Sequence, residues 1–439
     1  MVAHEHSDAH RAEATGRRWP GLVFGFGAAM LLASARLTTV MLFGLLAVWA
    51  ILAKDQLKLL TPRIDAVTVS LAALLGYALL SSLWAASLVT GIGEAAMAAV
   101  IAAASLILLQ LVQLDYPERL FRLGKGLWIG FVIGLIFFLI EETSGQAIKI
   151  WLYNYLNLSD TFMPADHYHR WAHGKLVSIS NSTLSRNVAP MTPLLWGTIM
   201  AVLGGFPGRW SKAVAAGIYV LGCTVIFLSP HETSKVAVAV GSLVFVLAYF
   251  WRQWAYRALK LAWVIACLFV VPAAFLANKL DLQNASWLQP SAQHRIVIWA
   301  FTAEQVLKAP IFGSGIYTTY MRGPEISATA ETKPGERFKR GMSRHAHNVF
   351  LQTWFEFGLV GACLLLGVGL ALLGHLRRLS DQVQPFALAA LSSSTVLMSS
   401  SYGMWQDWFL SLFALTAVFF AIGARILDLG SAPSSAQRI

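Results

Sequence analysis

Twelve runs of about 17 to 25 mostly apolar residues divide the chain: 21–35, 37–53, 66–84, 91–113, 126–140, 188–204, 212–229, 235–251, 259–277, 347–374, 385–401 and 407–425. Inside hydrocarbon each backbone N–H and C=O must find its partner within the segment, which leaves helices for runs of this length. The expectation is therefore an all-α integral membrane protein, a single polytopic membrane domain over 1–439 with about twelve transmembrane helices. With 57% hydrophobic and only 13% charged residues, the chain lacks the polar cover of a soluble protein of its length. The first two runs are short and tightly joined at Arg36, as in a helical hairpin. The hydrophilic start, ending in Arg17-Arg18, leads into an apolar run without a cleavage site and reads as an uncleaved first span.

Charge placement sets the topology. The net charge of +11 would suggest nucleic-acid binding in a soluble chain, but most of the excess is spent in alternate short segments. Lys54, Lys58 and Arg63, then Arg119, Arg122 and Lys125, then Arg209 and Lys212, Arg252, Arg257 and Lys260, and Arg377 and Arg378 fall on the side of the termini. Both termini are expected in the cytoplasm. Two long segments, 141–187 and 278–346, face the other side, the periplasm of a bacterial inner membrane. Together they carry thirteen basic residues that topology does not require. Within the second, Ile296, Trp299, Ala300, Ala303 and Leu307 make an apolar stripe after Pro290, expected as an amphipathic surface helix, and 321–344 reads as a polar flap.

Polar chemistry collects at the entry to the tenth run. On a continuous helix His345, Asn348, Gln352 and Glu356 would form one polar stripe running inward, with His347 on another flank. A histidine there is either an interfacial hydrogen-bonding residue or a proton acceptor at the mouth of an outward cavity. Glu356 lies too far along the axis to pair with His347 and reads as a buried acceptor. Arg186, Lys235, Arg295 and Arg344 stand at entry points on the same side. Singly each is a solvated charge; together they suit an anionic group such as pyrophosphate. Glu94 and Asp407 read as isolated, structurally paired acids. His345-x-His347 and the cluster His4, His6, His10 lack a third ligand at a telling spacing, and the three cysteines lie in apolar runs, so no metal site and no cofactor is expected.

The order Arg295-x-x-x-Trp299, Ala309-Pro310-Ile-Phe-Gly313-x-Gly315 and His347-Asn348-x-x-Leu351-Gln352-x-x-x-Glu356-x-Gly358-x-x-Gly361 resembles the O-antigen ligase family, within a group that includes O-antigen polymerases and protein O-oligosaccharyltransferases. The resemblance implies a metal-independent glycosyltransferase working at the periplasmic face. It implies an undecaprenyl-pyrophosphate-linked O-antigen donor, a lipid A–core acceptor and no nucleic acid. Carried over by motif, His347 is the candidate base, with His345 as a rival; Arg295 would bind donor phosphate or organise the surface helix, and Lys235 stands where many relatives have arginine. A transporter or flippase of anionic lipid-linked glycans is the alternative from another class.

Overall fold

The computed structural model describes residues 19–62, 64–157, 169–206, 208–328 and 337–431. His4, His6, His10, Arg17-Arg18, Arg63 and parts of both long loops (158–168 and 329–336) lie outside the described residues. Every one of the twelve apolar runs is helical, yet not every run is a separate straight span. Among the described residues eight helices are long and apolar enough to cross a membrane, or nine if one pair bent by 45° is a single span. The chain is a multi-pass helical membrane protein.

In chain order the elements are α1 (Trp19–Ala33), α2 (Thr38–Leu52), α3 (Ala66–Ser81), α4 (Leu88–Leu114), α5 (Pro117–Thr143) and α6 (Ala147–Tyr155). A hairpin follows, β1 (His169–Ala172) and β2 (Lys175–Ile179), then α7 (Met191–Gly205), α8 (Ser211–Leu228), α9 (Glu232–Leu268), α10 (Val270–Lys279), α11 (Pro290–Val306), α12 (Thr318–Ala328), α13 (Val349–Leu376), α14 (Gln384–Ser400) and α15 (Asp407–Ser431). The membrane-spanning part is all-α as expected, and the hairpin is a small addition within the first long loop. His173 and Gly174 both have positive φ, at 50° and 73°, as a two-residue hairpin turn requires.

The interior is built by close helix approach. α1, only 15 residues long, lies along α5, and a Cβ on Gly130 would sit 1.9 Å from the Gly25 carbonyl oxygen. The largest core cluster joins Phe24, Trp49, Phe131 and Phe419 from α1, α2, α5 and α15.

One helix, α9, takes in two expected spans, and one expected straight span, α13, is folded. α9 has non-helical dihedrals at Trp251. Its first arm runs along α14, from Thr233 beside Ser400 to Arg252, which pairs with Asp381. Its second arm returns along α13, with Ala255 clustered with Leu373 and Trp263 against Gly369. The runs 235–251 and 259–277 are thus oppositely directed arms that meet at one residue.

α13 also folds, at Gly358 (φ 61°, ψ −156°). Trp263 touches both Gly369 and Phe350, residues that a straight helix would hold roughly 28 Å apart at about 1.5 Å per residue. The segment 310–315 satisfies the broken ladder. Ser314 N–H donates to Phe355 O (2.9 Å), Gly315 N–H to Glu356 O (2.8 Å), and Leu359 N–H to Pro310 O (2.9 Å). A Cβ on Gly358 would lie 2.4 Å from the Ile311 carbonyl carbon, so glycine is required by contact as well as by φ. The expected inward stripe is corrected accordingly. His345 and His347 precede the helix, His347 has φ 54°, and only Gln352 and Glu356 share a helical face. The stripe on α11 is buried at Ile296, Ala300 and Ala303 against α10 and the first arm of α13, while Leu307 is exposed. α11 therefore caps the bundle.

Candidate functional site

A cavity of about 510 Å³ opens at the end of the bundle that carries the long loops. Its wall is drawn from distant parts of the chain: Arg36, Glu94, Arg186, Tyr317, Tyr320, Arg344, His345, Gln352 and residues 403 and 405–408. Asn187 brings the first two cations together. Its Nδ2 donates to Ala33 O (2.6 Å) and its Oδ1 accepts from Ala35 N–H (3.2 Å), clamping the break between α1 and α2. Arg36, one residue beyond the clamp, therefore shares a wall with Arg186, one residue before Asn187. Arg186 lies over the Trp408 ring (5.8 Å), and Arg344 lies over Tyr320 and donates to its hydroxyl (2.8 Å).

The histidine loop is held from both sides. Trp299 Nε1–H donates to the carbonyl of Ala346, between the two histidines (3.0 Å). That contact explains the four-residue spacing from Arg295, whose guanidinium donates to Thr233 Oγ1 (3.3 Å) from the same helical face. The rings of His345 and His347 meet at 4.1 Å. His347 Nδ1 lies 2.7 Å from the Ser401 carbonyl oxygen, which can only accept, so Nδ1 carries the proton and Nε2 keeps its lone pair. Burial, then the neighbouring His345, hold the His347 pKa down at about 3. Burial, then Arg186 and Arg295, bring His345 to about 4. Both imidazoles are neutral at neutral pH.

Glu356 anchors the floor. Fully buried, it accepts from Tyr317 N–H (3.0 Å), Thr319 N–H (3.2 Å), Thr319 Oγ1–H (2.5 Å), Gln352 Nε2–H (3.0 Å) and Trp405 Nε1–H (2.5 Å). One carboxylate thus fixes a turn, a helix and a loop, as expected of a buried acceptor.

Of the residues singled out from the sequence, His345, Arg186 and Arg344 line the cavity. His347 lies behind His345, and Arg295 is close enough to depress the imidazoles of His231, His294, His345 and His347. Lys235 is off the wall, paired with Glu232 at 2.8 Å. Asn348 is engaged as the N-cap of α13, accepting from Leu351 N–H (3.0 Å). Three charged wall residues escaped the sequence reading as site residues. Arg36 looked like a lone loop charge, and Glu94 and Asp407 lie 313 positions apart with no shared motif. His231, buried beside Ser234 (2.7 Å) and stacked on Tyr402, was also missed; its place just before Thr233-Ser234-Lys235 was the available signal. Among the described residues no three His, Cys, Asp or Glu side chains could hold a metal ion together.

Fold and site define a multi-pass helical membrane protein with a polar, cation-bearing cavity at one end of its bundle. Residues 217–366 match the family model described as O-antigen ligase, a similarity to the family that the motifs implied. The chain is similar to a protein named "Putative polysaccharide ligase" in Rickettsia conorii, 24% identical over 231 residues, which are 52% of this chain and 54% of that one. It is also similar to one of that description in Rickettsia prowazekii, 26% identical over 200 residues, 44% and 48% of the two chains. The chain spans about half the length of the curated relatives it matches.

Proposed function

We propose that the protein is a membrane glycosyltransferase that ligates O-antigen from undecaprenyl pyrophosphate onto lipid A–core oligosaccharide. It would act at the periplasmic face of a bacterial inner membrane, without a metal. The observation that carries the reading is the cavity itself, in which arginines and the neutral imidazole of His345 face one space, with the His347 ring in contact behind it. In the proposed reaction an acceptor hydroxyl attacks the donor's anomeric carbon as the bond to the pyrophosphate oxygen breaks, inverting that centre. The hydroxyl proton passes to the imidazole pair, with Nε2 of His347 as the receiving atom. Arg36, Arg186 and Arg344 would hold the departing pyrophosphate, and Arg295 would set the potential around the imidazoles. Bound pyrophosphate supplies the negative charge that raises the low proton affinity of the histidines when it is needed. Lys235 and Asn348 take supporting places, at the Glu232 pair and at the helix cap.

The test is transfer by the purified protein from lipid-linked donor to lipid A–core in the presence of EDTA. Formation of ligated product is expected. Movement of donor across a bilayer without covalent transfer would replace the reading with a transport function.

A further inference from the structure

The proposed transfer uses the arginines and histidines of the site and gives no role to the rest of the cavity wall. We infer that the remaining wall, Glu94 and Asp407 with Tyr317 and Trp405, is a half-site for a neutral sugar ring, with Glu94 accepting hydrogen bonds from sugar hydroxyls. The choice of glycans for the test rests on the transferase reading; the half-site itself rests on the wall.

Two carboxylates face a space inside a membrane protein, and among the described residues neither enters an ion pair. Partly buried acids without an ion-pair partner, on the wall of a membrane protein's cavity, mark a functional surface. A pyrophosphate would be repelled by them and drawn to the arginines. A polyhydroxylated neutral ring is the complementary occupant: its O–H groups donate to carboxylates and amide oxygens, and its C–H faces pack on aromatic rings.

The wall is also pre-organised. Tyr317 is hydrogen-bonded to Glu94, which orients that carboxylate. The Tyr317 backbone is tied to Glu356 at 3.0 Å, and its ring stacks on Tyr320 at 4.8 Å. Trp405 is held by its indole N–H on the same Glu356. Glu94 and Asp407 fall outside the segment that matches the family model. Both carboxylates of the half-site, and Trp405, are therefore supplied by parts of the chain that the match does not cover, while Tyr317 comes from within it.

Binding of delipidated core oligosaccharide, of delipidated O-polysaccharide and of inorganic pyrophosphate to the full-length protein in detergent tests this by calorimetry. With Glu94→Ala, the Kd for one of the two glycans should rise about tenfold, as for one lost hydrogen bond to a charged group. The glycan affected names the occupant. The Kd for pyrophosphate should hold or fall, because a repelling charge has gone. Glu94→Gln, which keeps an acceptor oxygen, should restore glycan binding to within about threefold of wild type. Unchanged affinity for both glycans, or an equal weakening of pyrophosphate binding, overturns the inference. Absence of transfer by the wild-type protein would instead remove the ligase reading and leave these binding results standing.

Discussion

The imidazole of His347 donates through Nδ1 to the backbone carbonyl of Ser401 at 2.7 Å, which leaves Nε2 as the one ring nitrogen of the pair whose lone pair is fixed by a hydrogen bond to a pure acceptor. His347→Ala is expected to lower the transfer rate by about 10²- to 10⁴-fold, the usual weight of a general base. Retention of full activity with His345 intact would move the role to His345. Because the free protein holds these rings at about 3 and 4, the acid limb of kcat/KM should lie well below 6.5.

The same histidines couple stability to pH. His231, His345 and His347 have folded-state pKa values of about 3, about 4 and about 3, all below the unfolded value near 6.5. Between those limits the unfolded chain binds more protons, so stability is full above about pH 6.5 and falls as pH drops through that window. Thermal unfolding in detergent should shift to lower temperature from pH 7 to pH 5. His231→Gln should flatten that dependence; an unchanged slope would mean the ring titrates normally.

Gly358 admits no side chain. Its dihedrals belong to a region that is essentially glycine's alone, and the Ile311 backbone occupies the space a Cβ would need. Gly358→Ala should destabilise the protein by about 1–3 kcal/mol from backbone strain alone. The readout is the yield and melting temperature of detergent-extracted protein. A variant as stable as wild type would show that 310–315 and 355–360 can part without loss.

Asn187→Ala removes both halves of the clamp across the α1–α2 break. Loss of two buried hydrogen bonds should cost about 1–3 kcal/mol, and Arg36 and Arg186 should lose their register. The expected signature is a donor KM raised by about tenfold, matched by Arg36→Ala, at a similar acceptor KM. An effect on acceptor KM alone would contradict this placement of the pyrophosphate.

What could be read from the sequence follows the range of the interactions. Apolar runs and the motif from Arg295 to Gly361 are local patterns, and they located the helices, the histidine loop and the glycines that face each other across the break in α13. The break in α9 at Trp251 falls where the run 235–251 ended and the charges Arg252, Arg257 and Lys260 began. The break in α13 was hidden: the fold at Gly358 depends on backbone donors from 310–315, about 45 residues earlier in a strand-like pairing that no periodicity encodes. Arg36, Glu94 and Asp407 converge through α1, α4 and α15, whose packing is decided by small-residue contacts and leaves no signature in the polar residues. Lys235 carried the right charge at the right end of a helix, and its side chain turned to Glu232, three residues away.

Glu356 gathers donors that a ribosome delivers at different times. Tyr317 and Thr319 precede it, but the indole of Trp405 comes 49 residues later, after α14 and the link to α15 have been made. Until then a carboxylate destined for full burial lacks one of its partners, which disfavours closing the floor of the cavity early. A nascent chain that stopped just short of Trp405 would contain the whole segment that matches the family model and still have no finished pocket. Completion of the site is thereby tied to completion of the polypeptide.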